Sequence, residues 1–121
     1  MLQNDFFSFS ALQTEGNEIT TNIKFNASHP IFEGHFPGEP VVPGACMMQM
    51  VKEVLENHLN KQTRLVRALD LKFLSFIHPV DNKMIELKLK FNFEEELIRI
   101  DARLLDGAIV LFKFKGIFIQ R

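Results

Sequence analysis

The sequence predicts an α+β chain in which one antiparallel sheet curves around a central helix. Three observations carry this reading. Six segments alternate apolar and polar residues with the period of two that marks a strand with one buried face. One stretch alone, Ala45 to about Asn60, repeats its apolar residues every 3.6 positions, as a helix does. Turn signals separate the alternating segments, Asp106-Gly107 being the strongest. The order is β-β-α-β-β-β-β, and a single apolar helix has only that sheet to cover it.

Taken in order, Asp5 to Leu12 reads as the first strand, with Phe7, Phe9 and Ala11 against Ser8 and Ser10. Thr14 to Asn17, containing Gly16, reads as a turn. Glu18 to Asn26 sets Ile19, Thr21, Ile23 and Phe25 against Thr20, Asn22 and Lys24. The stretch from His29 to Gln49 then gathers four of the five prolines and three of the six glycines. Proline fixes φ, removes an amide donor and pushes the preceding residue away from helix. Phe36 to Gly44 is therefore a rigid loop, neither helix interior nor central strand.

In the helix that follows, Met47, Val51, Val54, Leu55 and His58 share one face. Its first two turns, from Ala45 to Val51, are apolar almost all round, which predicts a start buried on most sides. Lys52, Glu53, Glu56 and Asn57 turn the second half outward. Arg64 to Ile77 is extended, with Leu69, Leu71 and Phe73 alternating against Asp70 and Lys72, and His78-Pro79-Val80-Asp81-Asn82 breaks it. Lys83 to Phe93, Leu97 to Leu105 and Ala108 to Ile119 are three further strands. The turn Glu94–Glu96 and the Asp106-Gly107 hairpin join them. Charged outer positions on these last strands suit a sheet with one solvated face.

Length and composition bound the function. A chain of 121 residues holds one core, so residues 1–121 are expected to form one domain. Fourteen basic against fifteen acidic residues leave a net charge of −1 and no basic excess for nucleic acid. No apolar run approaches the roughly 20 residues that span a bilayer, and the N-terminus lacks the features of a signal peptide. One cysteine, Cys46, excludes an internal disulfide, and the expected compartment is the cytoplasm. Without export, the glycosylation tripeptide Asn26-Ala27-Ser28 is empty. Thirteen Phe with no Tyr or Trp suit a dry core, and also a tunnel for an apolar chain.

The candidate chemistry clusters around the proline-rich loop. His35 can pass protons near neutral pH, and Gly34 and Gly38 allow close backbone approach, although a lone loop histidine is more often structural. Gln49 is the one polar side chain in the apolar half of the helix. It shares a stripe with Glu53 and Glu56, and spacing alone favours the solvent-facing side of an ordinary amphipathic helix. Gly44 precedes the helix, where amides carry partial positive charge and could polarise a carbonyl oxygen; every helix start has that property. Cys46 sits in the apolar run and is expected to be a buried, inert thiol. His29, His58 and His78 show no metal-ligand spacing, so no metal or other cofactor is expected.

The run Gly34-His35-Phe36-Pro37-Gly38-Glu39-Pro40-Val41-Val42-Pro43-Gly44 resembles the signature of the hotdog-fold 3-hydroxyacyl-acyl-carrier-protein dehydratases of bacterial fatty-acid synthesis. Leu71-Lys72-Phe73 through Pro79 and Asp81 resembles that family's strand after the helix, and the likeness covers the chain from about Glu18 onward. It implies a hotdog fold, a dimer with two sheets joined edge to edge, and a tunnel between subunits. His35 would take the proton from C2 of the acyl thioester, an amide at Gly44 would hold the thioester oxygen, and Phe36 would line the substrate site. The implied partners are an acyl-carrier-protein thioester and a second copy of the chain in a homodimer or higher homo-oligomer, or a paralogue in a heterodimer.

The family's acid, a helix carboxylate from the facing subunit, falls on Gln49 here. The Gln common four residues later falls on Glu53. Acid and amide are exchanged across one helical turn, about 5.4 Å. An amide can hydrogen-bond a hydroxyl but cannot protonate it, and general acid catalysis is typically worth about 10²–10⁴-fold. Three readings follow. His35 carries the proton to the 3-hydroxyl itself; Glu53 supplies it through Gln49 or a water; or the chain is a weakly active acyl-binding partner subunit. A hotdog thioesterase is a further alternative.

Overall fold

The computed structural model describes residues 6–26, 28–29, 42–78 and 85–121. Its elements are β1 (Phe7–Phe9), β2 (Gln13–Glu15), β3 (Glu18–Phe25), α1 (Gly44–Leu59), β4 (Thr63–Phe73), β5 (Ile85–Glu94), β6 (Leu97–Asp106) and β7 (Ile109–Gln120). Among the described residues they form one seven-stranded antiparallel sheet in the order β1-β3-β5-β6-β7-β4, with β2 also paired to β3. The chain leaves β3 near one edge, runs through α1 and returns as β4 at the other. The helix thus crosses the concave face between the two edges.

The alternation seen in the sequence explains the strands. Ile19, Thr21 and Ile23 of β3 are buried, as are Ile85, Leu87, Leu89 and Phe91 of β5 and Ile98, Ile100, Ala102 and Leu104 of β6. With Phe112, Phe114 and Phe118 of β7, the apolar residues among these meet Met47, Met50, Val51, Val54 and Leu55 of α1 in one cluster. Each such side chain, fully buried, contributes about 1.5–3 kcal/mol. The β6–β7 hairpin turns at Gly107, whose φ of +61° suits a residue without a Cβ.

Three sequence expectations change. The turn at 14–17 is tighter than predicted: Gln13–Glu15 is a strand, paired Glu15↔Glu18, and only Gly16 and Asn17 turn. The single first strand divides at Ser10. Its amide donates to the Asn22 carbonyl, its hydroxyl accepts from the Asn22 amide, and its carbonyl accepts from the Thr21 hydroxyl at 2.9 Å. These local side-chain bonds interrupt the ladder. The third change is β4, extended as expected but carrying register shifts between Leu65 and Arg67 and between Ala68 and Asp70. Those irregularities take Val66 and Leu69 out of the simple alternation, and both are exposed.

Candidate active site

The helix start is built by what precedes it and what folds over it. Pro43 is the N-cap, extended at φ −63° and ψ 144°, and its carbonyl accepts from the amides of Cys46 (3.0 Å) and Met47 (3.3 Å). The Gly44 and Ala45 amides lie ahead of that first turn, at the positive end of the helix dipole. One residue before the cap, the Val42 amide donates to the carbonyl of Ile77 at 2.8 Å, with both side chains buried. This bond ties the chain entering α1 to the chain leaving β4.

Phe73, the last residue of β4, lies over Gly44. A Cβ at position 44 would stand 2.8 Å from two atoms of the Phe73 ring. Glycine lets the ring approach the backbone this closely. The ring also packs on Phe112, with centroids 5.1 Å apart and planes inclined 33°, yet Phe73 remains 51% exposed. The sequence marked Phe73 as an alternating strand residue in the stretch Leu71-Lys72-Phe73, not as a neighbour of Gly44. A glycine at a helix start and an aromatic at a distant strand end give no local sign that they meet.

Along α1 the stripe Gln49, Glu53, Glu56 does not form one solvent-facing side. Gln49 is half-buried, and Glu53, one turn on, is 2% exposed. Glu56 accepts hydrogen bonds from both the amide and the hydroxyl of Thr63, which is wholly buried. Glu56 thereby fixes the return from α1 into β4 and is accounted for structurally. The preference that spacing gave to a solvated stripe is overturned at Glu53, which is buried like its helix neighbours Met50 and Val54. Gln49 and Glu53 lie one turn apart on the helix. Cys46 is buried as expected, and burial raises its thiol pKa, which suppresses thiolate. His35 and Phe36 lie outside the described residues, as do Pro79 and Asp81. Among the described residues no group of His, Cys, Asp and Glu could hold a metal ion.

The far end of the helix is closed by Asn60, in the left-handed region at φ 53°, whose amide donates to the Glu56 carbonyl. His58 packs on Phe91 there, with ring centroids 5.2 Å apart and planes tilted by 51°. At the β4 edge the apolar side chains Val66, Leu69, Leu71, Phe73, Leu74 and Phe76 are all exposed in the isolated chain, Phe76 to 66%. β4 has no strand on its outer side among the described residues.

A model of the ApeI-like family, described as ApeI dehydratase, matches residues 11–103. A 3-hydroxyacyl-[acyl-carrier-protein] dehydratase FabZ of Rickettsia typhi is 31% identical over 83 residues, covering 61% of this chain and 57% of the relative. The FabZ of Caulobacter vibrioides is 28% identical over 91 residues, covering 74% of this chain and 53% of the relative. The chain therefore spans a little over half the length of these curated relatives. In structure it is similar to a chain of the dehydratase heterocomplex ApeI:P from Xenorhabdus doucetiae, with a TM-score of 0.73 and 17% identity over 92% of this chain and 96% of that one. The fold is a hotdog, as the sequence predicted.

Proposed function

The chain belongs to the ApeI-like dehydratase family, and from that premise we propose that it removes water from a 3-hydroxyacyl thioester carried on acyl carrier protein, giving the 2-enoyl thioester. The observation that carries this reading is the helix start. Gly44 closes the matched His35 loop, lets Phe73 lie close against the helix start, and holds its amide at the positive end of α1. That is where the enolate-like oxygen of a thioester is stabilised as its C2 proton leaves.

The reaction balances as follows. His35 takes the C2 proton, the C2 electron pair forms the double bond, and the C3–O bond breaks. Protonated His35 then returns its proton to the departing oxygen as water. Gln49 donates a hydrogen bond that orients the 3-hydroxyl, with Phe36 lining the acyl chain and Glu53 buried one turn behind Gln49. Deuterium exchange in heavy water tests the first step: the wild type should wash the C2 hydrogen out of substrate and His35→Asn should not. Wild type that neither exchanges nor dehydrates would remove the reading.

Assembly is part of the proposal. Edge strands with exposed apolar side chains pair readily with another chain, and the β4 edge is the one that carries them, which supports a dimer joined there. Gln49 favours a second reading of that dimer. In a homodimer each His35 faces an amide. With a paralogue whose helix bears a carboxylate, His35 of this chain faces an acid, and one of the two sites is complete. Co-expression with such a paralogue, followed by native mass spectrometry, separates the two assemblies. Among the described residues no helix is long and apolar enough to cross a membrane, and the cytoplasm is the compartment we propose from the single cysteine.

A further inference from the structure

The outer face of the sheet carries a charge arrangement that the reaction does not use. Lys88 of β5 lies opposite Arg103 of β6, Arg103 opposite Lys113 of β7, and Lys113 opposite Lys72 of β4. Four cations thus stand in one row across four strands, and the row ends on Thr20 of β3. Their strand neighbours Leu87, Leu89, Ala102, Leu104, Phe112 and Phe114 point into the core, so the row faces outward. The next row, two residues along each strand, reads Glu18, Lys90, Asp101, Lys115, Asp70, alternating in sign.

Alternation is what a solvated sheet face gains from, whereas like charges directly opposite each other are destabilising. Lys88 reaches Glu86 at 3.7 Å; among the described residues Arg103, Lys113 and Lys72 have no ion-pair partner. This row concentrates positive charge in a chain whose net charge is −1.

We propose that this row is a docking site for an acidic helix of a partner protein, lying across the strands. Neighbouring strands are about 4.8 Å apart, so four rungs span about 14 Å. Carboxylates at i, i+4, i+7 and i+11 of a helix line one face at intervals of about 5–6 Å and cover about 16 Å. The two spacings agree closely enough for each carboxylate to meet one cation. A depression lined by Glu18, Lys88, Lys90, Asp101 and Arg103 takes in the β3 end of the row. A polyanion such as nucleic acid or an anionic membrane would also lie over Glu18, Asp101 and Asp70 and be repelled. A narrow acidic stripe avoids them. The inference rests on strand register and stands whether or not the proposed reaction is correct.

The probe is a fluorescent peptide of about four helical turns, locked helical on its far side, with Glu at i, i+4, i+7 and i+11. Anisotropy should show saturable binding at low salt that weakens steeply as salt rises. Lys88→Gln/Arg103→Gln/Lys113→Gln should weaken it at least about tenfold, while Lys90→Gln/Lys115→Gln from the alternating row should change it by less than about threefold. Arg103→Glu, a single exposed change, should weaken binding of the Glu peptide further than Arg103→Gln does. No saturable binding by wild type, equal loss in both multiple variants, or tighter binding of a single-stranded oligonucleotide or anionic vesicle through the same row would each overturn the proposal.

Discussion

Replacing Gly44 by Ala separates the structural from the chemical role of the helix start. The new methyl would lie 2.8 Å from the Phe73 ring, against an ordinary carbon contact of about 3.5–4.0 Å, so the ring must retreat by about 1 Å. Phe73 is 51% exposed and can move. What it gives up is part of its packing on Phe112, and such aromatic pairs are worth about 0.5–1.5 kcal/mol. In the other direction, Ala gains up to about 1 kcal/mol over Gly in a helix, less at its first residue, and restricts the unfolded chain by about 0.4–1 kcal/mol. The opposing effects leave a net change within about 1 kcal/mol, a Tm shift of about 5 °C or less. Catalysis has no such compensation. The methyl and displaced ring crowd the space in front of the amide, and loss of one oxyanion donor costs about 10²–10³-fold in kcat. Circular dichroism suits the melt, because the chain has no Trp or Tyr. Turnover is measured on the same samples, and Phe73→Ala in the Gly44→Ala background should restore the melt if the ring is the obstacle. Unchanged turnover in Gly44→Ala would refute the amide's role, and a deep loss of stability that Phe73→Ala fails to relieve would refute the packing account.

Other expected outcomes follow from single contacts. Gly116→Ala puts a Cβ 2.9 Å from the Phe114 ring and 3.3 Å from the Arg67 carbonyl. Phe114 is wholly buried and the carbonyl belongs to the adjoining strand, so about 1–3 kcal/mol is lost as overpacking, read as a lower Tm. Glu56→Ala removes both hydrogen bonds to Thr63 and should lower stability by about 2 kcal/mol in a denaturant titration. Glu53→Gln should leave turnover within about threefold if His35 carries the proton alone, whereas a fall of about 10²-fold would assign Glu53 the acid's role. Cys46, with its thiol pKa raised by burial, should resist alkylation at neutral pH in the native protein and react promptly in denaturant; the thiolate fraction, and with it the rate, should rise with pH.

Where apolar and polar residues alternate regularly, the sequence was sufficient to place the structure. β3, β5 and β6 lie where their alternation puts them, because one solvated face and one buried face leave register little freedom, whereas β7 buries Leu111 beside Phe112 where its pairing with β6 shifts register. The helix was placed within a residue at each end by Pro43 before it and Asn60 after it. Less legible were features set by contacts far along the chain. The break at Ser10 depends on hydrogen bonds to Thr21 and Asn22, and the bulges of β4 are defined only against β7. Glu53 looked like a surface residue because its charge and its spacing from Gln49 and Glu56 mark a polar stripe, and no local pattern encodes its burial. At the site, Gly44 was read from its place before the helix, but its reason for being glycine is Phe73, a strand away. The cation row was hidden for a similar reason, since Lys72, Lys88, Arg103 and Lys113 become neighbours only through three separate strand registers.

The proposed dehydration of a 3-hydroxyacyl thioester uses His35 as base and an amide where an acid is usual. Mass spectrometry of a 3-hydroxyacyl-carrier-protein incubated with wild type, His35→Asn and Gln49→Glu tests it directly. The account predicts that wild type forms the enoyl product, that His35→Asn forms none, and that Gln49→Glu is faster, by up to about 10²-fold. No product from either wild type or Gln49→Glu would contradict it.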